Sequence, residues 1–146
     1  MKPSYPHFSI IIPTCNRPNQ LADCLQSLAR LKYPQDCFEV IVVDDGSKTL
    51  MDSVVAAFEN HLNIKLIRQK NTGPAGARNH GAKQANGEFI AFTDDDCQPR
   101  SDWLDVLARQ YAKYPDHLIG GNTLNALPND LCAAASQQLI SYIYNY

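Results

Sequence analysis

The sequence predicts an α/β fold in which a mostly parallel sheet is flanked by helices. Short apolar, β-rich runs recur along the chain, segments with helical apolar spacing lie between them, and acidic loops follow two of the runs. Parallel neighbours need a crossover connection, usually a helix, so strands that alternate with helices favour a parallel sheet. The length of 146 residues suits one hydrophobic core. We therefore expect a single domain over residues 1–146.

Five strands are predicted from runs rich in Val, Ile, Leu and Phe. Residues 8–12 form the first run, which we expect Pro13 to end, and residues 38–43 form the second, which ends at Asp44-Asp45-Gly46. Three further candidates are residues 64–68, 88–93 and 118–124. Gly120-Gly121 weakens the last of these, because glycine disfavours a strand interior.

Apolar residues spaced three and four apart predict helices between these strands. Three stripes have this spacing: Leu21, Cys24, Leu25 and Leu28; Val54, Phe58 and Leu62; and Leu104, Leu107, Ala108 and Tyr111. Ser47 and Ser101 stand where N-caps of the second and third of these helices belong. A further helix is expected from near Pro74 to near Gly87.

Composition excludes several classes of protein. The net charge is −2, from 13 basic and 15 acidic residues, and the scattered Lys and Arg residues disfavour nucleic acid as a partner. Five cysteines without a C-x-x-C pair favour reduced thiols in a cytoplasmic setting. The first residues lack the apolar core of a secretory signal, and no apolar run approaches the roughly 20 residues of a membrane-spanning helix. Association with a membrane surface stays open.

Acidic residues follow the second and fourth predicted strands, as Asp44-Asp45 and as Asp94-Asp95-Asp96. In open α/β sheets, ligands bind beyond the carboxyl ends of the strands. Carboxylates gathered at one edge of the sheet repel each other, and a bound divalent cation is the simplest way to offset that repulsion. Asp94 and Asp96 would point to the same side of an extended segment and hold Mg²⁺ or Mn²⁺. The alternative interpretations are a solvated turn for the triplet and a capping turn for Asp44-Asp45-Gly46.

Residues 71–79 form a glycine-containing loop that opens a predicted helix, where backbone N–H groups can meet an anion. Gly73 and Gly76 match neither the P-loop nor the G-x-G-x-x-G pattern, which removes the main support for an ATPase or a dinucleotide-binding protein. Arg78 would make either a bidentate phosphate contact or a surface ion pair. No G-x-S-x-G elbow and no histidine pair with metal-ligand spacing is present.

Four blocks together resemble family 2 glycosyltransferases: SIIIPTCNR at residues 9–17, VVDDGS at 42–47, GPAGARN at 73–79 and FTDDD at 92–96. The resemblance covers about residues 8–125. It implies a GT-A fold, which is a nucleotide-binding α/β sheet that uses an activated sugar and usually Mg²⁺ or Mn²⁺.

The resemblance also implies roles for single residues. Pro13 and Thr14 would lie against the nucleotide base, and Asp45 would accept a hydrogen bond from uracil N3–H, as suits a carboxylate. Cys15 departs from the family pattern, because relatives often carry an aromatic residue there that can stack on the base.

The remaining positions concern the nucleotide and the metal. Arg78 corresponds to a basic residue near the nucleotide, and Asp94 and Asp96 match the D-x-D pair that touches ribose and metal. Asp95, between them, would share these tasks. The resemblance thus implies a nucleotide-sugar site at Pro13, Thr14, Asp45, Arg78, Asp94 and Asp95, and a metal site at Asp94 and Asp96.

The resemblance implies a metal-dependent, inverting glycosyltransferase that takes a nucleotide-diphosphate sugar, with a UDP-sugar favoured, and an unknown acceptor. Three alternatives stay open: a nucleotide-sugar-binding module or inactive fragment, a nucleotidyltransferase, and, more distantly, a receiver-type signalling domain. A nucleotidyltransferase would need a glycine-rich, basic phosphate loop, which residues 13–20 do not contain.

The C-terminal segment predicts that the chain is part of a larger protein. Its last helical pattern forms an apolar stripe of Leu131, Ala134, Ala135, Leu139, Tyr142 and Ile143. We expect this stripe to pack on further protein or a second copy, with attachment to the cytoplasmic face of a membrane as an alternative. The general base and the acceptor-binding region are expected to lie outside the chain.

Overall fold

The computed structural model describes residues 5–126, 129–130, 134–135 and 137–138. The chain divides into two compact units, Met1–Pro115 and Asp116–Tyr146. The first unit contains four strands, β1 (Phe8–Thr14), β2 (Phe38–Asp45), β3 (Ile64–Gln69) and β4 (Phe89–Phe92). Its α-helices are α1 (Pro18–Leu28), α2 (Asp52–Ala56), α3 (Gly73–Lys83) and α4 (Trp103–Lys113), and a 3₁₀ turn covers Gln35–Cys37.

The four strands form one parallel sheet in the order β3-β2-β1-β4. Phe8 lies opposite Phe38 on one side and Phe89 on the other, so the central strand β1 starts level with both neighbours. Because all four strands run the same way, their carboxyl ends meet at one edge of the sheet. The predicted parallel α/β architecture is confirmed.

Apolar side chains fill both faces of β1 and β2. Ile10 and Val40 face the larger core cluster, which contains the whole predicted stripe of α1 and Leu104 of α4. Ile11 and Ile41 face the opposite side, where Ala77 of α3 covers them. Strands buried on both faces read as continuous apolar runs, which is why these two were the clearest in the sequence.

Pro13 lies inside β1, so the prediction that it ends the strand is wrong. The strand continues to Thr14, which lies opposite Asp44 at the end of the pairing with β2. On its other side, β1 pairs with β4 only from Phe8 to Ile11. Pro13 has no N–H to donate, and it is tolerated because it lies past the end of that ladder.

The second predicted helix is much shorter than its apolar spacing indicates. Its five residues, Asp52–Ala56, begin after Met51, and Ser47 is not its cap. Ser47 instead lies in the loop after β2, where its Oγ accepts from the N–H of Asn16 at 2.7 Å. Leu62 is buried and Val54 and Phe58 pack against the same core cluster, so the predicted apolar stripe still marks the side that faces the core.

Two further predictions are wrong. The residue before α4 is Asp102, not Ser101. Residues 118–124 contain no strand, and Leu118 and Leu124 are fully and largely exposed. Glycines disfavour a strand interior, and a Cβ added to Gly120 or Gly121 would meet no atom within 4 Å. Of the predicted C-terminal stripe, only Ala134 and Ala135 lie within the described residues.

Across the part of the chain that the structure describes, no helix has the length and apolar character needed to cross a membrane.

Candidate functional site

A cleft of about 440 Å³ opens at the carboxyl edge of the sheet. All seven site residues predicted from the sequence line it, at the ends of β1 and β2, on the loop that follows β4 and on α3. Its lining comprises Pro13, Thr14, Cys15, Arg17, Asp45, Asn71, Gly73, Pro74, Arg78, Asp94, Asp95 and Asp96. The topology therefore brings together residues that are up to 83 positions apart in the chain, since Pro13 and Asp96 share one cleft.

Asp95 ties the loop after β4 to the end of β1. Its carboxylate is buried and accepts from Thr14 Oγ1 at 2.8 Å through Oδ2 and from Arg17 Nη1 at 3.3 Å through Oδ1. A buried carboxylate must be paired or hydrogen-bonded, and both of its oxygens are. Asp95 thus holds the acidic loop in place from its middle position.

The acidic triplet forms a turn, not the extended segment that we expect from the sequence. Strand β4 ends at Phe92, and the N–H of Cys97 donates to the carbonyl of Asp94 at 3.1 Å. The turn nevertheless gathers Asp94, Asp96 and Cys97, whose ligand atoms lie within 4.8 Å of one another. Two carboxylates and a thiol form a donor set that a divalent cation can use, and Cys97 was not predicted as a member.

Arginines pair with most of the carboxylates at this edge. Arg78 forms an ion pair with Asp94, and Arg17 lies 3.3 Å from Asp96 Oδ2. Outside the cleft, Arg68 Nε lies 3.5 Å from Asp44 Oδ2. The repulsion expected among these acidic residues is therefore offset in large part by the protein itself, so it does not by itself require a metal. Arg78 thus makes an ion pair with Asp94, and its contact with a phosphate stays a prediction.

Asp45 is nearly enclosed and accepts three short hydrogen bonds. Oδ1 accepts from Gln69 Nε2 and from the N–H of Thr72, both at 2.8 Å, and Oδ2 accepts from the N–H of Gly73 at 2.9 Å. Burial raises the pKa of this carboxyl, but the hydrogen bonds from Gln69, Thr72 and Gly73 outweigh burial and hold the pKa below its ordinary value. Asp45 is thus an ionised acceptor at the floor of the cleft.

Gly46 and Gly73 provide the backbone shape around Asp45. Both have positive φ, of 80° and 82°, which glycine adopts at little cost. A Cβ on Gly46 would lie 2.9 Å from the backbone nitrogen of Asn71, so a side chain there would separate the loops after β2 and β3. The D-D-G sequence at residues 44–46 therefore leads from β2 into a loop that packs closely against the loop after β3.

Sequence reasoning assigned no role to three contributors to the cleft or its support. Arg17 lies in the loop that follows β1, the position that the rule for open sheets points to. Asn71 donates from Nδ2 to the carbonyl of Asp45 at 3.0 Å. Gln69 is the last residue of β3, and nothing in its local sequence distinguishes it from a solvent-facing strand residue.

The profile of the family described as "Glycosyl transferase family 2" matches residues 9–139. Among curated proteins, the glycosyltransferase AglE of Haloferax volcanii is 35% identical over 138 residues, which are 92% of this chain and 45% of AglE. The chain thus spans less than half the length of this relative.

Solved structures with the same fold include two with bound nucleotide sugars. Staphylococcus aureus TarS 1-349 in complex with UDP-GlcNAc aligns with a TM-score of 0.71 and 31% identity, over 80% of this chain and 37% of that one. The mannosyltransferase PcManGT from Pyrobaculum calidifontis, in complex with GDP-Man and Mn²⁺, aligns with a TM-score of 0.66 and 29% identity. That alignment covers 79% of this chain and 34% of the mannosyltransferase.

Proposed function

Since the chain belongs to glycosyl transferase family 2, we propose that it forms the donor-binding part of an enzyme that transfers a sugar from a UDP-sugar to an acceptor. The observation that carries this proposal is the meeting of Asp45, Arg78, Asp94 and Asp96 in one cleft. These residues supply an acceptor for a base, a cation for a diphosphate and oxygen ligands for a metal.

Each end of the cleft suits a different part of the donor. Asp45 accepts a hydrogen bond from the N3–H of uracil, with Pro13 and Thr14 at the end of β1 beside the base. Arg78 binds diphosphate oxygens, for which its planar guanidinium is well shaped. In the structure this guanidinium pairs with Asp94, so it lies within reach of the region that the diphosphate would occupy.

The acidic turn fits Mg²⁺ or Mn²⁺, because both prefer oxygen ligands and commonly use one or two carboxylates together with substrate phosphates. Asp94 and Asp96 would hold the cation, and their side chains are accessible, at 50% and 55% exposure. When bound, the cation acts as a Lewis acid that stabilises the departing diphosphate. Arg17 and Arg78 compete with it for the same carboxylates.

We further propose an inverting reaction, in which the acceptor hydroxyl displaces the diphosphate directly while a general base takes its proton. The four carboxylates that line the cleft are all assigned to the protein or the donor in this proposal: Asp45, Asp94, Asp95 and Asp96. The base is therefore left unassigned.

A second candidate function is donor binding without transfer, because the four carboxylates that line the cleft all have other roles in this proposal. Turnover separates the two candidates. The test incubates the protein with UDP-sugars, beginning with UDP-GlcNAc, together with Mn²⁺ and a library of acceptors, and measures UDP release and glycosylated product. Product formation supports transfer, binding without product supports the second candidate, and no binding of any UDP-sugar would overturn both.

A further inference from the structure

A chain of hydrogen bonds connects Asp45 to the last turn of α3. Gln69 Nε2 donates to Asp45 Oδ1 at 2.8 Å, and Gln69 Oε1 lies 2.7 Å from Nδ1 of His80. The direction of each bond follows from the chemistry. A carboxylate only accepts, so the amide NH₂ of Gln69 must face Asp45, and its carbonyl must face His80. His80 therefore donates from Nδ1.

This network limits what else Asp45 can accept. An ionised carboxylate offers about four acceptor positions. Gln69 Nε2 and the N–H of Thr72 occupy those of Oδ1, and the N–H of Gly73 occupies one of the two on Oδ2. Asp45 lines the cleft although it is only 4% exposed. One position on Oδ2 is thus left for a ligand.

We propose that Gln69 and His80 are positioning residues that set the base preference of the cleft, by fixing Asp45 so that it offers a single acceptor to the ligand. This inference rests on the proposed function and deepens it, because it names the supporting residues behind the choice of nucleotide. The ligand class is a nucleoside diphosphate whose base presents one imide N–H.

The chemistry of the bases gives the expected order. Uracil presents one donor, N3–H, between two carbonyls, which matches one free acceptor. Cytosine presents a lone pair at N3, which would face the carboxylate as a second acceptor. Guanine presents two adjacent donors, N1–H and the 2-amino group, and a carboxylate with only one free position satisfies one of them. An unsatisfied polar group in an enclosed site is costly, so the single acceptor selects uracil.

A purely structural role for the same residues makes a different prediction. Gln69 and His80 link β3 to α3, and Lys65 Nζ links the same two segments by donating to Gln84 Oε1 at 3.3 Å. If the Gln69 to His80 bond only fastened the helix to the strand, its loss would weaken all nucleotides equally. Lys65→Ala is therefore a matched control, because it removes a link of the same kind that does not touch Asp45.

The experiment measures the affinities of UDP, CDP and GDP by calorimetry in the presence of Mn²⁺, for wild type and four variants of the full chain. Gln69→Ala and His80→Ala remove the network at two points. His80→Asn keeps an N–H donor near the position of Nδ1 and should retain it. Melting temperatures, recorded for all variants, verify that each is folded.

We expect Gln69→Ala to lower the ratio of UDP to GDP affinity by about tenfold, the effect of one hydrogen bond, and His80→Ala to lower it by a smaller factor. Lys65→Ala and His80→Asn should keep the wild-type ratio. An unchanged ratio in both alanine variants, or an equal loss for all three nucleotides, would overturn the positioning role and leave the proposed function intact. Wild type that binds the three nucleotides alike would overturn the inference and the uridine preference together.

Discussion

Two neighbouring aspartates at the end of β2 differ in what they contact. Asp44 is buried away from the cleft, where its Oδ1 accepts from the N–H of Ser47 at 2.9 Å and its Oδ2 faces Arg68. Asp45, one residue later, lines the cleft. Successive side chains of a strand point to opposite faces, so adjacent residues of the same type serve different purposes here. Asp44 supports the loop, and Asp45 is the candidate for ligand contact.

Replacing Asp45 with Ala should lower the affinity for UDP by about 1.5 to 3 kcal/mol, the range for a hydrogen bond to a charged group. Calorimetry with UDP and Mn²⁺ measures the change. Asp102→Ala is the control, because Asp102 is an exposed acid outside the cleft that pairs with Arg100. Equal affinities in wild type and Asp45→Ala would contradict the assignment.

The depressed pKa of Asp45 predicts how stability depends on pH. The folded state holds this carboxyl ionised to lower pH than the unfolded state, whose pKa is about 3.9. The stabilisation is therefore fully present above the unfolded pKa and disappears as the pH falls through the folded one. Urea unfolding of wild type and Asp45→Asn at neutral pH and near pH 3 should show a gap in free energy of unfolding that shrinks in acid. A gap that widens in acid would reverse the sign and refute the cause.

Helix α3 lies unusually close to the sheet, and this closeness places Arg78 at the cleft. A Cβ on Gly81 would lie 2.5 Å from Ile11 Cγ2 and 3.0 Å from Val43 Cγ2. Ala77 of the same helix is fully buried against this face. The small residues on one side of α3 therefore let the helix approach β1 and β2, and Arg78, beside Ala77, reaches Asp94.

Gly81→Ala tests this packing, and the substitution has two opposing effects on the stability of the protein. Alanine favours a helix over glycine by about 1 kcal/mol. Overpacking a filled core typically costs about 1 to 3 kcal/mol, and the two close methyl groups make it the larger effect here. We expect net destabilisation in urea unfolding and weaker UDP binding as Arg78 shifts. Lys83→Ala, an exposed change on the same helix, should alter neither, and a stabilised Gly81→Ala would show that the helix has room.

The topology of the whole first unit decides the charge of the cleft. Parallel strands deliver their following loops to one edge, so the lining contains two arginines and four aspartates and carries a formal charge of −2. The other arginine and lysine residues that the structure describes do not line the cleft. A nucleotide diphosphate is itself an anion, so the cleft as a whole repels it even though most single carboxylates are paired.

Tight UDP binding should therefore depend on a divalent cation, and replacing Asp94 or Asp96 with Asn should weaken the metal-dependent part of the binding. Calorimetry of wild type, Asp94→Asn, Asp96→Asn and the control Asp102→Asn, with Mn²⁺ and with a chelator, measures this. Equal UDP affinity under both conditions in wild type would refute the requirement. Loss of metal dependence in the Asp102→Asn control would point to a general effect of surface charge.

The sequence by itself determined the alternation of strands and helices in the first unit, the parallel α/β class and seven of the residues that line the cleft. These follow from local spacing and from position at strand ends, and the stripe of α1, for example, is buried in full. Only the tertiary structure decided the limits of α2, the passage of β1 through Pro13 and the partner of each carboxylate. Pro13 is tolerated because β4 stops short, and Gln69 and Arg17 meet Asp45 and Asp95 because distant loops converge at one sheet edge. Such contacts join residues far apart in the chain, so no local sequence pattern predicts them.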